Sequence, residues 1–162
     1  MTELSPPDTD QPNGYGFRAA TAGDVTRVVA LLADDPLGAG REAAAEDPRY
    51  QDAFKRIEAD PNNEIIVAER GGGVVGCLQL TLIPSLTRSG VTRAQIEGVR
   101  VAESERGRGL GKLMVQYAEQ QARDRGAGIM QFTTDKSRPD AHRFYENLGY
   151  AASHLGMKKV LE

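Results

Sequence analysis

Between Val99 and Lys112 the chain reads VRVAESERGRGLGK. A β-branched run passes into a segment with three alternating glycines, Gly107, Gly109 and Gly111, among the cations Arg106, Arg108 and Lys112. An amphipathic pattern then begins at Leu110. The chemistry open to this arrangement is anion capture. Backbone N–H groups at a helix start have no partner within the helix and carry about half a positive charge from its dipole. Glycines let a phosphate approach that backbone without obstruction from a Cβ. Taken alone, the hexapeptide Arg106–Gly111 also fits a tight strand–helix turn with a solvated basic rim. A Walker loop is excluded, because no Gly-Lys-Ser/Thr follows a glycine after four free positions. A dinucleotide-binding fingerprint is disfavoured by the glycine spacing and by the late place of the strand, after a hairpin.

The elements that must position this segment are legible in the periodicity. Phe17–Ala20 reads as a short strand. Gly23-Asp24 opens a helix with Val25, Val28, Val29 and Leu32 on one face. Residues 36–48 are read as a loop with a helical turn at most, and a second helix over 49–59 carries Ala53, Phe54 and Ile57. The run EIIVAE at 64–69, the glycines 71–73 and the run VVGCLQLTLI at 74–83 make a hairpin. A loop over 85–90 precedes a strand over 93–102, in which Gly98 signals a bulge or a close backbone approach. A helix of about 16 residues starts near Leu110 and ends at Gly126 and Gly128, a strand covers 129–133, and Pro139 opens a short helix with Ala141, Phe144, Tyr145 and Leu148 on its face, capped by Gly149. Tyr150–Ser153 and Met157–Leu161 are expected as a last strand pair. The expected class is mixed α/β: a mostly antiparallel sheet with one right-handed, parallel β-α-β crossover. Residues 1–16, rich in Pro, Asp, Thr and Gly, are expected to be a flexible arm, and 17–162 a single domain.

Two segments together resemble one family. Arg106–Gly111 is similar to the R/Q-x-x-G-x-G/A signature of the GNAT superfamily of acyl-CoA-dependent N-acetyltransferases. Some 30 residues later, AHRFYENLGY at 141–150 resembles its A-x-x-F-Y-E-x-L-G-F segment. The order of elements fits over nearly the whole chain. The resemblance implies a GNAT-type fold, with the sheet split by a V-shaped gap at the parallel crossover and helices on both faces. It implies acetyl-CoA as co-substrate. The pyrophosphate would lie on the amides of Arg106, Gly107, Arg108, Gly109, Leu110, Gly111 and Lys112. The pantetheine arm would pair like an extra strand with the backbone of Val99, Arg100 and Val101. One position departs from the pattern: where many relatives carry Asn, this chain has Arg138, which could reach a CoA phosphate instead or be exposed.

Direct acetyl transfer to an amine requires loss of a proton from the amine and protonation of the departing thiolate. It needs no covalent enzyme intermediate. Tyr145, at the family's F-Y-E tyrosine, is the candidate general acid, since a phenol with pKa about 10 can protonate a thiolate. It could also simply pack on its helix face. Glu97 lies two residues before Val99 on the same strand face. It is the candidate base or amine-binding group; otherwise it is a solvated glutamate or a salt-bridge partner of Arg100 or Arg93. His142 and His154 read as exposed polar residues, and Cys77 as a small buried hydrophobe.

Composition removes other classes. With 162 residues the chain is one domain in length, and 20 Lys plus Arg against 23 Asp plus Glu gives a net charge of −3. No basic excess supports nucleic-acid binding, no apolar run approaches the ~20 residues of a membrane span, and one cysteine with two histidines cannot fill a zinc site without carboxylates. No metal, nucleic acid or membrane is therefore expected. The absence of a charged-then-apolar start suggests a cytoplasmic protein. The expected partner is a small-molecule or peptide amine, which Asp34, Asp35, Glu42, Glu46 and Asp47 would attract if they form an acidic lip. A homodimer through the terminal strand is a further expectation. A different class of function, a non-catalytic acyl-CoA-binding regulatory module of the same fold, also fits the motifs.

Overall fold

The chain's structure is a computed structural model, described over residues 13–35 and 38–161. Residues 1–12 of the expected arm, and Pro36-Leu37 of the expected loop, lie outside the described residues. The chain divides into two compact units, Met1–Gln131 and Phe132–Glu162.

The first unit is built on a five-stranded sheet in the order β1-β2-β3-β4-β5. Its strands are β1 (Gly16–Ala19), β2 (Asn63–Arg70), β3 (Gly73–Ile83), β4 (Thr92–Val101) and β5 (Ala127–Gln131). Pairing is antiparallel from β1 to β4 and parallel between β4 and β5. The first strand thus begins at Gly16, one residue ahead of the expected start, and Tyr15 before it is buried. The hairpin turns at Gly71 and Gly72, both at positive φ, while Gly73 already belongs to β3.

The α-helical segments of this unit are α1 (Val25–Ala33), α2 (Pro48–Glu58), α3 (Thr87–Gly90) and α4 (Leu110–Asp124). The third is a single irregular turn in the expected loop, with Arg88 and Ser89 left-handed. Asp47 caps α2 through a side-chain bond from Arg49 N–H, and Pro48 sits in its first turn. α4 ends at Gly126, with φ +81; Gly128, expected to help end it, lies inside β5 instead.

Helices cover both faces of the sheet, and two neighbouring β3 residues show why. Successive strand side chains point to opposite faces. Cys77 joins Val67, Val28 and Leu31 beneath α1. At Gly76 a Cβ would stand 2.6 Å from Met114 Sδ of α4, so the helix closes on bare backbone there. The buried face of α1 comprises Val25, Val28, Val29 and Leu31; Leu32, expected among them, is only partly covered and faces a cavity described below. On the α4 side Leu110, Met114, Val115 and Ala118 are all within 1% of full burial, as are Leu78, Leu80 and Ile96 of the sheet.

The second unit holds α5 (Pro139–Asn147), with Pro139 in its first turn. Tyr145 of α5 packs its ring 4.1 Å from Phe132, 4.9 Å from Phe144 and 6.0 Å from Tyr150. Gly149, at φ +92, lets the chain reverse after the helix, and Tyr150 N–H returns to Tyr145 C=O at 3.1 Å. The expected strand pair at 150–153 and 157–161 is not formed. Residues 151–161 are exposed and join no ladder. Strand propensity is realised only when a neighbouring strand supplies cross-strand contacts, and neither segment finds any here.

Candidate active site

The site's frame is the second half of β4. Pairing with β5 runs from Thr92–Ala127 to Gln95–Gln131 and stops there, although β4 continues to Val101. From Ile96 onward that edge of β4 has no ladder partner among the described residues. Opposite, the register with β3 shifts: Gln79 faces Glu97 but Cys77 faces Arg100, so β4 carries one extra residue. Gly98 makes the bulge possible. Its φ is +62, and a Cβ there would meet Leu32 Cδ2 of α1 at 3.3 Å.

Gly98→Val is therefore expected to lose about 1–3 kcal/mol of stability, because a β-branched residue in a left-handed conformation also collides with α1. Chemical denaturation checks this. Wild-type stability in the variant would mean that α1 does not rest on the bulge.

The loop after β4 runs through a 3-10 turn, Glu103–Glu105, to Gly107 at φ +74 and Gly109 at φ +83. Gly109 is the N-cap of α4 and supplies no side-chain cap. At either glycine a Cβ would meet nothing within 4 Å. The first-turn N–H groups of α4 therefore open onto free space with glycine, not a capping carboxylate or hydroxyl, before them. Such a start leaves room for an anion. Arg108 and Lys112 are exposed beside it and form no ion pair among the described residues. Gly111 belongs to the first turn of α4, and Leu110 anchors that turn in the core.

Two arginines of this segment have partners that local sequence did not indicate. Arg106 donates from Nε to Val101 C=O at 3.3 Å and from Nη2 to Asp34 Oδ2 at 3.2 Å. Arg100 donates from Nη1 to Val99 C=O at 2.9 Å and pairs through Nε with Asp35 Oδ2 at 2.8 Å. The segment after α1 is thus tied to β4 at Arg100 and to the following loop at Arg106. Asp34 and Asp35 spend their charge on these arginines and do not stand as a free acidic lip. Each carbonyl keeps a second lone pair for another donor.

The loop has a further anchor. Tyr15 O–H donates to Glu105 Oε2 at 2.6 Å and Arg70 Nη1 to the same oxygen at 2.9 Å. The Tyr15 hydrogen bond, helped by Arg70, holds the Glu105 carboxyl below the usual glutamate range. A carboxyl whose pKa falls on folding stabilises the fold above its unfolded value, about 4.3, and that support fades as pH drops through the folded value. Glu105→Gln is therefore expected to be less stable than wild type at pH 7, by a margin that shrinks as the pH falls below the ordinary glutamate range. Parallel urea titrations decide: a difference that persists undiminished at pH 3 would remove the carboxylate as the cause.

Glu97 is exposed and forms no ion pair among the described residues, neither with Arg100 nor with Arg93. It lines a cavity of about 190 Å³ together with Val28, Leu32, Ile65, Gln79 and Gly98. A second cavity of about 140 Å³, under α1 and α2, shares Val28, Leu32, Ile65 and Gln79 with it and adds Tyr50 and Phe54. Cys77 lies beneath, 1% exposed, its Sγ 3.7 Å from Gly98 C=O. Burial pushes its thiol up to about 12, so it stays protonated at neutral pH and is no nucleophile.

In the second unit Arg138 is the N-cap of α5 and gives no side-chain cap. His142 Nε2 lies 3.0 Å from Asp135 C=O, so it is engaged locally and half-buried, not solvated as expected; His154 is exposed beside Ser153 Oγ at 2.8 Å. Among the described residues, no helix is long and apolar enough to cross a membrane.

Comparison with known proteins agrees with this geometry. Residues 26–150 match the family described as "Acetyltransferase (GNAT) family". The chain is 33% identical over 148 residues to the aminoalkylphosphonate N-acetyltransferase of Salmonella typhimurium, covering 90% of each protein. It is 35% identical over 88 residues to the glucosamine 6-phosphate N-acetyltransferase of Trypanosoma brucei brucei, covering 54% of this chain and 57% of that one. Among solved structures, a transcriptional regulator from Bacillus halodurans C-125 superposes with a TM-score of 0.87 at 49% identity, over 91% of this chain and 99% of that one. A glycine cradle at the start of α4, a bulged strand with an open edge and a match over most of the length converge: the chain belongs to the GNAT family of N-acetyltransferases.

Proposed function

We propose that residues 17–162 act as one domain that moves an acetyl group from acetyl-CoA directly to the primary amine of a small molecule. The observation that carries this reading is the uncapped start of α4 behind two left-handed glycines, at the end of a strand whose outer edge is open and which bears an unpaired glutamate. The residues fit the co-substrate. The amides of Gly107 to Lys112 would hold the pyrophosphate, with Arg108 and Lys112 neutralising it. The backbone of Val99, Arg100 and Val101 would pair with the pantetheine. Arg106 braces the loop against Asp34, and Arg138 supplies a further cation by its place in the motif. Bound acetyl-CoA supplies the activated acyl group. Glu97 takes the amine's proton, directly or through water, or fixes the ammonium by charge. Tyr145, assigned by the motif, returns a proton to the departing sulfur.

The relatives that acetylate aminoalkylphosphonate and glucosamine 6-phosphate support a small amine as the acceptor over a peptide. Because acetyl-CoA is a cytoplasmic metabolite, the proposed setting is the cytoplasm. A homodimer through the C-terminal segment is also proposed. Leu155, Met157, Val160 and Leu161 are 82–95% exposed there, and such apolar groups seek cover. Light scattering at the monomer mass would overturn it.

The test of the main reading is thiol release across an amine panel. Glu97→Gln should lower kcat by ~10²–10⁴-fold while acetyl-CoA affinity holds. Unchanged kcat would remove Glu97 from the chemistry. The second reading, a regulatory acyl-CoA binder, is favoured by the description of the Bacillus halodurans neighbour as a transcriptional regulator. Tight CoA binding with no thiol released by any amine would select it.

A further inference from the structure

Beside Glu97 the α1 face of the sheet changes character. Across β2 to β5 the register aligns Asn63 with Thr81, Ile65 with Gln79, Gln79 with Glu97, Thr81 with Gln95, and Gln95 with Gln131. These side chains share one face, and all but Glu97 are half-buried. They are linked to one another. Asn63 Oδ1 accepts from Thr81 Oγ1 at 2.7 Å and from Gln79 Nε2 at 3.1 Å, and Gln131 Nε2 donates to Gln95 Oε1 at 3.2 Å. A sheet face under helices is ordinarily apolar; a band of uncharged hydrogen-bonding groups is a built surface for a polar ligand.

The band ends at a cation. Arg93 follows the alternation Glu97, Gln95, Arg93 and faces Ile83 and Ile129 across the ladders. Its Nε is cut off from solvent and has no hydrogen-bond partner, and no carboxylate among the described residues pairs with its guanidinium. Arg18 and Arg100 on the same face stand beside carboxylates, Arg18 with Asp24 and Glu69 and Arg100 with Asp35. Arg93 is half-buried, but a buried Nε without a hydrogen-bond partner is costly, and the group that relieves it is an oxyanion presenting two acceptors to the fork.

We propose that Arg93 is the specificity residue for an anionic end of the acceptor: a phosphonate, phosphate or carboxylate carried on the amine whose nitrogen lies at Glu97. This deepens the acetyl-transfer reading and rests on it for the placing of the amine. Arg93 and Glu97 are four strand positions apart on one face, which sets their Cα atoms ~13 Å apart. Between them Gln79, Thr81 and Gln95 offer amide and hydroxyl groups to whatever joins amine to anion. A guanidinium at one end and a carboxylate at the other select a zwitterion over a simple amine.

The experiment uses the full chain and two probes, 2-aminoethylphosphonate and n-propylamine. Wild type should bind 2-aminoethylphosphonate in calorimetry, and should prefer it to propylamine in thiol release. In Arg93→Gln that preference, as a ratio of kcat/KM, should fall roughly 30-fold, mainly through KM. Arg93→Lys should recover part of it, because charge returns without the fork. CoA affinity, set at the distant loop, reports that the variants are folded. It also separates this site from the CoA phosphates: a matching loss of CoA affinity in folded Arg93→Lys would reassign Arg93 to the co-substrate and overturn the proposal. So would equal loss for both amines, or wild-type binding of the phosphonate no better than of propylamine. If wild type binds the phosphonate through Arg93 yet releases no thiol, the transferase reading falls while the anion site stands.

Discussion

Gly109→Glu should abolish measurable binding of acetyl-CoA, with a loss of at least ~100-fold in affinity. Two independent effects add. The residue sits at φ +83 as the N-cap of α4, where a side chain with a Cβ costs about 1–2 kcal/mol. The carboxylate then stands at the helix start, takes the first-turn N–H groups for itself and repels phosphate from them. Gly109→Ala separates the two, since it brings the strain without the charge and should lose affinity by no more than about 10–30-fold. Space is not the issue: nothing lies within 4 Å of where the Cβ would be. Isothermal titration with CoA measures all three proteins. Undiminished affinity in Gly109→Glu would show that the phosphates lie elsewhere.

Tyr145→Phe should lower kcat by ~10²-fold or more while leaving the KM for acetyl-CoA within about threefold. The substitution isolates one atom. The ring of Tyr145 packs on Phe132 and Phe144, and phenylalanine keeps those contacts. What goes is the hydroxyl, and with it the proton for the departing thiolate. A loss of ring packing would lower stability; a loss of the acid leaves stability in place and slows turnover. Stopped-flow detection of thiol release, alongside a melting curve, distinguishes them. Equal turnover would leave Tyr145 as a packing residue and move the acid role to another group or to water.

Much of the site is local in sequence, and the reason is physical. Left-handed glycines, a proline in a first helical turn and a 3.6-residue apolar period act within a few residues of themselves. Hence Gly107 and Gly109 before α4, Pro139 opening α5, Gly149 after it and the bulge at Gly98 could be anticipated from the chain alone. The two motifs are also what the proposed roles of Tyr145 and the glycine segment rest on.

Other features depend on which strands become neighbours. Arg106 reads as one more phosphate ligand until α1 brings Asp34 to it, across 72 positions of sequence. Arg100 meets Asp35 only because the Gly98 bulge turns it to the α1 face, where strict alternation from Glu97 would not have put it. Tyr15, inside the expected flexible arm, is instead buried and held by Glu105, 90 residues away. The terminal strand pair failed for the converse reason: a strand is a relation between two segments, and neither segment finds its partner. Arg93 is the sharpest case. By itself it is an ordinary cation on a strand. The sequence determined its charge and its face; only the tertiary structure buried its Nε beyond water and placed no carboxylate beside it, because desolvation and pairing are properties of a surrounding and not of a residue.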